Sequence, residues 1–359
     1  MLPLKKPYFG WITTAILASL ALVAKFGFSR IPNFQNAIVL FSASPHGGDT
    51  RPYLRGSWLG PAIAHSLGVV SDRSLFITYC TLTVLVVVLC TKTVATTGLT
   101  LDSKVVLILA LPFLPPLFHW VGYDSLTILL LITAYRSRRT RSLCFLVAVL
   151  AGMQHAEVTV AASVQALLYD FNRRKEFQIW RGWQVTVTCG ALVGRLLLEL
   201  IFRHFDSSAG SRLGEAVGVF RTNFADWRVA CSVAEPWHCF PSTTPILVLS
   251  IVWTMTPLLL ITRSRVASEF KRLLTAVVAA AVLVIPVLDQ TRIAVLSLTF
   301  VILMFYETNS RAYIMGFASK SSAAIFGILW LFVPVPWVWE GEISWYGVAG
   351  GLRSVLGLI

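Results

Sequence analysis

Residues 141–175 read RSLCFLVAVLAGMQHAEVTVAASVQALLYDFNRRK. The fold turns on whether this stretch is one membrane helix or two. Read as one helix, it carries Asn172-Arg173-Arg174-Lys175 to the outer face. Split at Gln154-His155-Ala156-Glu157, it returns that basic linker to the cytoplasm, where positive loops belong. The split also lifts His155 and Glu157 out of mid-membrane, where ionised groups are costly. We read two segments, 141–154 and 158–170.

The rest of the chain follows the same logic. Of its 359 residues, 56% are hydrophobic and only 13% are Asp, Glu, Lys or Arg. That is about half the ~25% charged content of a soluble domain. Apolar runs recur, separated by short polar breaks. A bilayer core of ~30 Å needs about 20 apolar residues per helix. The chain therefore reads as an all-α polytopic membrane protein in one integral-membrane domain, with no large soluble domain. About eleven transmembrane helices are expected, within a range of ten to twelve. They lie near 9–28, 75–97, 104–120, 124–135, 141–154, 158–170, 183–203, 241–262, 272–288, 293–307 and 313–334. Several are too short to span unaided. The composition excludes a disordered chain, a soluble α/β enzyme and a disulfide-stapled secreted module. A transmembrane β-barrel would alternate apolar and polar residues, and these runs do not.

The net charge of +13 is explained by placement. With the N-terminus inside, the inner face receives 18 basic residues against 5 acids, and the outer face 10 against 11. The excess is all on one side, in the cytoplasmic basic loops 136–141, 171–182 and 263–272 among others. It orients the protein and contacts anionic membrane lipids, and it makes no nucleic-acid groove. The first segment follows Lys5-Lys6 without a clean cleavage site and reads as a retained anchor. No Asn-x-Ser/Thr acceptor occurs, which leans towards a bacterial inner membrane. Cys80, Cys90, Cys144 and Cys189 fall in apolar helices as packing residues. Cys231 and Cys239 share the outer loop 204–240, where an oxidising compartment permits a disulfide. There is no zinc spacing, Walker loop or dinucleotide fingerprint.

The chemistry-bearing residues gather on the outer side. The outer loop 29–74 carries His46-Gly47-Gly48-Asp49-Thr50-Arg51 and Arg55. Its stretch 51–70 reads as an amphipathic interfacial helix. Asp49 follows a glycine pair that lets the backbone present a carboxylate, as a general base or metal ligand. A solvated loop acid is the plainer reading. Arg51 and Arg55 can fork onto a lipid phosphate or snorkel to headgroups. The turn Gly122-Tyr123-Asp124 offers an acid that also reads as an N-cap. His155 and Glu157 flank the helix break. Asp289-Gln290-Thr291-Arg292 sits between two apolar runs, where a guanidinium needs an anion. That anion is either a substrate phosphate or Asp289. Arg195 and Glu199, four apart on one helix, read as a structural pair or as part of a phosphate site.

These motifs resemble the GT-C superfamily of integral-membrane glycosyltransferases: an acid in the first outer loop, an interfacial helix, then Gly122-Tyr-Asp, His155-Ala-Glu and Asp289-Gln-Thr-Arg292. The resemblance implies a polyprenyl-phosphate-dependent enzyme. It would move a sugar from a lipid-linked donor onto a glycan or lipid acceptor on the non-cytoplasmic face. It maps the family's first-loop acid onto Asp49 as base. Arg292, with Arg51, Arg55 or Arg195, would steady the departing phosphate. His46, Tyr123, Asp124, His155, Glu157 and Asp289 would shape the acceptor pocket. Many members carry a paired acid in that loop. Asp49 stands without one, which leaves a divalent metal ion open. A transporter or lipid flippase is the main alternative. A membrane acyltransferase using His46, His119 or His155 is a third reading, and a non-enzymatic assembly protein a fourth.

Overall fold

The computed structural model describes residues 8–28, 32–45, 57–95, 101–119, 121–174, 182–205, 266–284, 290–309, 330, 335–339 and 342–346. These are helical except for one short hairpin. The helices are α1 (Tyr8–Phe26), α2 (Pro32–Ala43), α3 (Leu59–Ser66), α4 (Asp72–Ala95), α5 (Leu101–Leu109), α6 (Leu114–His119), α7 (Asp124–Arg136) and α8 (Arg141–Arg174). They continue with α9 (Trp183–Phe205), α10 (Val266–Val284), α11 (Gln290–Ser297) and α12 (Thr299–Asn309). Strands β1 (Val335–Trp339) and β2 (Glu342–Tyr346) pair antiparallel, with Trp337 opposite Ser344. They add a feature that the all-α expectation lacked.

Three stretches are long and apolar enough to cross a membrane: Asp72–Lys92, Arg141–Phe171 and Trp183–His204, with the shorter Gly10–Phe26 beside them. The second does not run straight. His155 has φ −166° and ψ 80°, outside the helical region. The packing on α9 shows what happens there. A Cβ on Gly190 would meet Ala148 and the Phe145 carbonyl. One on Gly194 would meet the Val149 carbonyl and the Met153 amide. Gln184 of the same helix bonds Asp170 at 3.5 Å, and Arg195 reaches Glu157. Residues 184–195 span only about 16 Å of helix, whereas 145–170 of a straight helix would span about 37 Å. The chain therefore folds back at His155. Its first arm, α8a (141–154), runs parallel to α9. Its second arm, α8b (156–174), runs antiparallel. Thr159 Oγ1 ties the turn by donating to the His155 carbonyl at 2.9 Å and the Ala151 carbonyl at 3.4 Å.

The seam between α8a and α9 is built from small residues. Gly190 and Gly194 form a Gly-x-x-x-Gly pair facing Gly152, whose added Cβ would lie 2.2 Å from the Ala191 carbonyl. Backbones approach this closely only where side chains are absent, and close approach is how helices gain contact inside a membrane.

Other expected segments are cut differently. The segment expected at 104–120 is two helices, α5 and α6, broken at Ala110–Phe113. Pro112 withholds a backbone N–H there and disfavours a helical Leu111. The segment expected at 293–307 is α11 and α12, divided at Leu298. The basic loop expected at 263–272 includes the first turns of α10, which begins at Val266. The outer loop 29–74 contains two helices, α2 as well as α3. Just past the α3 C-cap, Leu67, Gly68 takes a φ of +69°, which favours a residue without a Cβ. Ser71 caps α4, its Oγ accepting the Ser74 amide at 3.2 Å. Segment 241–262, all of 313–334 except Trp330, and most of the loop 204–240 with Cys231 and Cys239 lie outside the described residues.

Two apolar clusters hold the bundle. The larger joins α1 and α4–α12 around Leu22, Val86, Phe113, Ile128, Ala162, Val187 and Phe300. The smaller lies where α2, α3 and the start of α4 meet the far end of α9. It contains Ile38, Phe41, Tyr79, Tyr123, Leu198 and Phe202. Cys90 and Cys144 are buried packing residues, while Cys80 is half-buried and Cys189 exposed; among the described residues none of the four is joined in a disulfide.

Candidate functional site

Helix starts and turns at one end of the bundle bring together residues far apart in sequence. Tyr123 holds the cap position of α7 without a side-chain cap bond, so Asp124 is the first helical residue. The N-cap reading of Asp124 therefore gives way to another. Its carboxylate takes the Arg292 guanidinium in a forked pair: Nε donates to Oδ2, and Nη2 donates to Oδ1 at 2.8 Å. Both residues are buried, Asp124 at 3% exposure and Arg292 at 8%. The anion that Arg292 needs inside the bundle is thus supplied from 168 positions away. Asp289 lies outside the described residues. The Arg292 guanidinium also lies 6.0 Å from the centre of the Tyr123 ring. Tyr123 is itself buried.

The helix break of α8 enters the same place. Gln154 is fully buried. Its Oε1 accepts the Gly60 amide of α3 at 2.7 Å, and its Nε2 donates to the Tyr123 carbonyl at 3.3 Å. One amide thus staples the end of the first outer loop, the α6–α7 turn and the α8 break together. In the sequence Gln154 stands out only as part of the turn. Its signal was an uncharged amide in an apolar helix, which must find partners.

His155 follows directly. Its Nδ1 is buried and has no hydrogen-bond partner among the described residues. Glu157, Asp124, Arg292 and Arg195 are the charges that act on it. Tyr79 of α4 places a second buried hydroxyl beside this group, without a hydrogen-bond partner among the described residues and with Tyr123 and Asp124 as its electrostatic neighbours. Tyr79 was not foreseen, because it sits mid-run in an apolar helix.

Arg195 pairs differently from expectation. Its contact is Glu157 of α8b, at 3.9 Å, while Glu199 faces Arg203 at 3.7 Å. The i,i+4 pair Arg195–Glu199 is therefore replaced by one across helices. Tyr123, Asp124, His155, Glu157, Arg195 and Arg292 are thus gathered in one place. His46, Asp49, Arg51 and Arg55 lie outside the described residues; Asp49 is eight positions before buried Ser57. Among the described residues, no group of three or more His, Cys, Asp or Glu side chains converges to hold a metal ion.

The depth of this cluster follows from helix lengths. α7 has 13 residues and is about 20 Å long. α8a is about as long, and Arg195 lies about 18 Å from the start of α9. From the other side, Tyr79 is about 10 Å into α4. The far end of the bundle carries Arg138, which donates to Glu307 together with Tyr135. The Tyr135 and Trp183 rings meet edge-on there at 5.5 Å.

No family model, no curated protein and no solved structure matches the chain.

Proposed function

We propose that the chain is a polytopic membrane glycosyltransferase of the GT-C type, using a polyprenyl-phosphate sugar donor on the non-cytoplasmic face. The observation that carries this reading is the convergence of Asp124–Arg292, His155 and Arg195–Glu157 about 20 Å from the basic end of the bundle, at the level where α7 starts and α8 turns. That distance leaves the cluster about 10 Å short of the far edge of a ~30 Å hydrocarbon layer. An amphiphile with its reacting phosphate at that depth suits the place, because its tail stays in lipid.

In this reading Arg195 receives the phosphate, where negative charge grows as the glycosidic bond breaks. Its Nη1 has hydrogen-bonding capacity to spare. Arg292 holds Asp124 and Tyr123 in place. The Nδ1 of His155 meets the acceptor, and Asp49 removes the acceptor hydroxyl proton. The bound lipid supplies the chemistry that keeps an enzyme wholly within the bilayer.

A second reading, a lipid flippase or transporter, is favoured by one specific observation. Helices broken at His155 and at Ala110–Phe113 put irregular backbone inside the bundle, as transporter sites do. Purified protein in vesicles separates the two. Sugar transfer from a short isoprenyl-phosphate sugar, abolished by Asp49→Asn, supports the transferase. Movement of the lipid between leaflets without transfer replaces it with the flippase.

A further inference from the structure

The two ion pairs of the site are unlike. Asp124 and Arg292 are sealed and forked. Arg195 and Glu157 approach only to 3.9 Å, whereas a charge-assisted hydrogen bond closes to about 2.7–2.9 Å. The Arg195 side chain is 16% exposed and that of Glu157 is 57% exposed. Arg195 Nη1 is buried and donates to nothing among the described residues. A guanidinium in lipid needs an anion, and this one has an anion held at arm's length by a side chain with room to leave.

The surroundings say what would replace it. Arg195 stands on α9 at the margin of the exposed Leu192 and Leu196, and Glu157 heads the exposed edge of α8b that continues through Val164 and Leu168. α8b and α9 are antiparallel neighbours, so these residues border an apolar seam leading from the charged pair towards the bundle's middle. A cation at the head of an apolar seam matches a phosphate joined to a long hydrocarbon chain.

We propose that Glu157 is a displaceable counter-ion of Arg195. The headgroup phosphate of an isoprenoid lipid takes its place on the guanidinium, and the chain lies along the α8b–α9 seam. Phosphate offers two oxygens to the guanidinium fork, so the exchange keeps an anion on Arg195 and adds a hydrogen bond. This rests on the lipid-phosphate half of the reading above.

The test measures binding of farnesyl phosphate to the full-length protein in phosphatidylcholine nanodiscs, with phosphatidylglycerol as the second probe. Glu157→Gln removes the competing charge and tightens farnesyl phosphate binding about tenfold. Arg195→Gln weakens it about tenfold and abolishes the effect of Glu157→Gln in the double variant. Arg195→Lys, which keeps the charge for folding but loses the fork, falls between. Unchanged or weaker binding in Glu157→Gln, or intact binding in Arg195→Gln, overturns the proposal. An equal response with phosphatidylglycerol overturns the assignment to an isoprenoid phosphate. If binding follows the expected pattern but no sugar moves, the transferase reading fails and this one stands. If Arg195→Gln transfers sugar with an unchanged KM, this one fails and the transferase reading stands.

Discussion

Separating what Asp124 and Arg292 do for the fold from what they do for function needs both charges removed together. Arg292→Met leaves a carboxylate that is 3% exposed and strips it of its forked partner. Asp124→Leu strands the guanidinium in the same way. Breaking one side of a buried pair costs about 3–5 kcal/mol, because an uncompensated charge stays behind. Replacing both with apolar residues of similar volume removes the desolvation penalty along with the attraction. Such exchanges run from neutral to stabilising. The double variant Asp124→Leu/Arg292→Met is therefore expected within about 1 kcal/mol of the parent, and the cycle should show a coupling of at least about 3 kcal/mol. Reversible unfolding in mixed micelles, followed by tryptophan fluorescence, measures it. Binding and transfer assays on the same double variant then report the functional part. Recovered stability with lost transfer places the pair in the site; recovered stability with full transfer makes it a structural clasp. Single variants within about 1 kcal/mol of the parent, or a double variant that loses the sum of the two, would refute the buried-pair reasoning.

Other outcomes follow from particular contacts. Gly194→Leu is expected to abolish monodisperse protein on size exclusion, since even a Cβ there would lie 2.1 Å from the Val149 carbonyl; Gly10→Ala, with nothing within 4 Å, should leave elution unchanged. Thr159→Val removes the hydroxyl that ties the α8 turn and should cost about 1 kcal/mol in the same unfolding assay. Single cysteines at Arg139 and Lys175 should label from the same side of the membrane with an impermeant maleimide; labelling from opposite sides would exclude the helical hairpin. Glu307→Gln breaks a half-exposed pair with Arg138 and should change stability by less than about 1 kcal/mol.

Some of this was legible along the chain and some was not. The fold-back at His155 was readable because charge bookkeeping constrains a membrane chain: a helix run straight through would carry Arg173 and Arg174 to the wrong side. The Gly190–Gly194 pair was readable in principle, as a small-residue repeat in an apolar run, but nothing local says which helix it faces. α2 was hidden because Pro32–Ala43 mixes Asn, Gln and Ser with apolar residues and mimics a loop. The forked pair of Asp124 with Arg292 could not be read at all. Sequence proximity pointed to Asp289 and to capping, and only the folded bundle brings α7 against α11. Likewise, Arg195 had an acid four residues away on its own helix and took one from another.

Helix length and side-chain chemistry constrain each other here. A full-length helix can place an ionisable group at mid-depth only on its flank, where lipid or a neighbour must tolerate it. A helix that starts or turns inside the bundle offers more. Its unpaired backbone groups face the same place as its side chains, and its partner helices can close around both. α7 begins at Asp124 and α8 turns at His155, both about 20 Å from the basic end. Gln154 bonds backbone groups of Gly60 and Tyr123 at this level. The residues that make these helices short are the ones that make the site polar. Lengthening α7 or straightening α8 would therefore remove the site along with its depth. Short helices in this chain are how a polar cluster is held inside an otherwise apolar bundle.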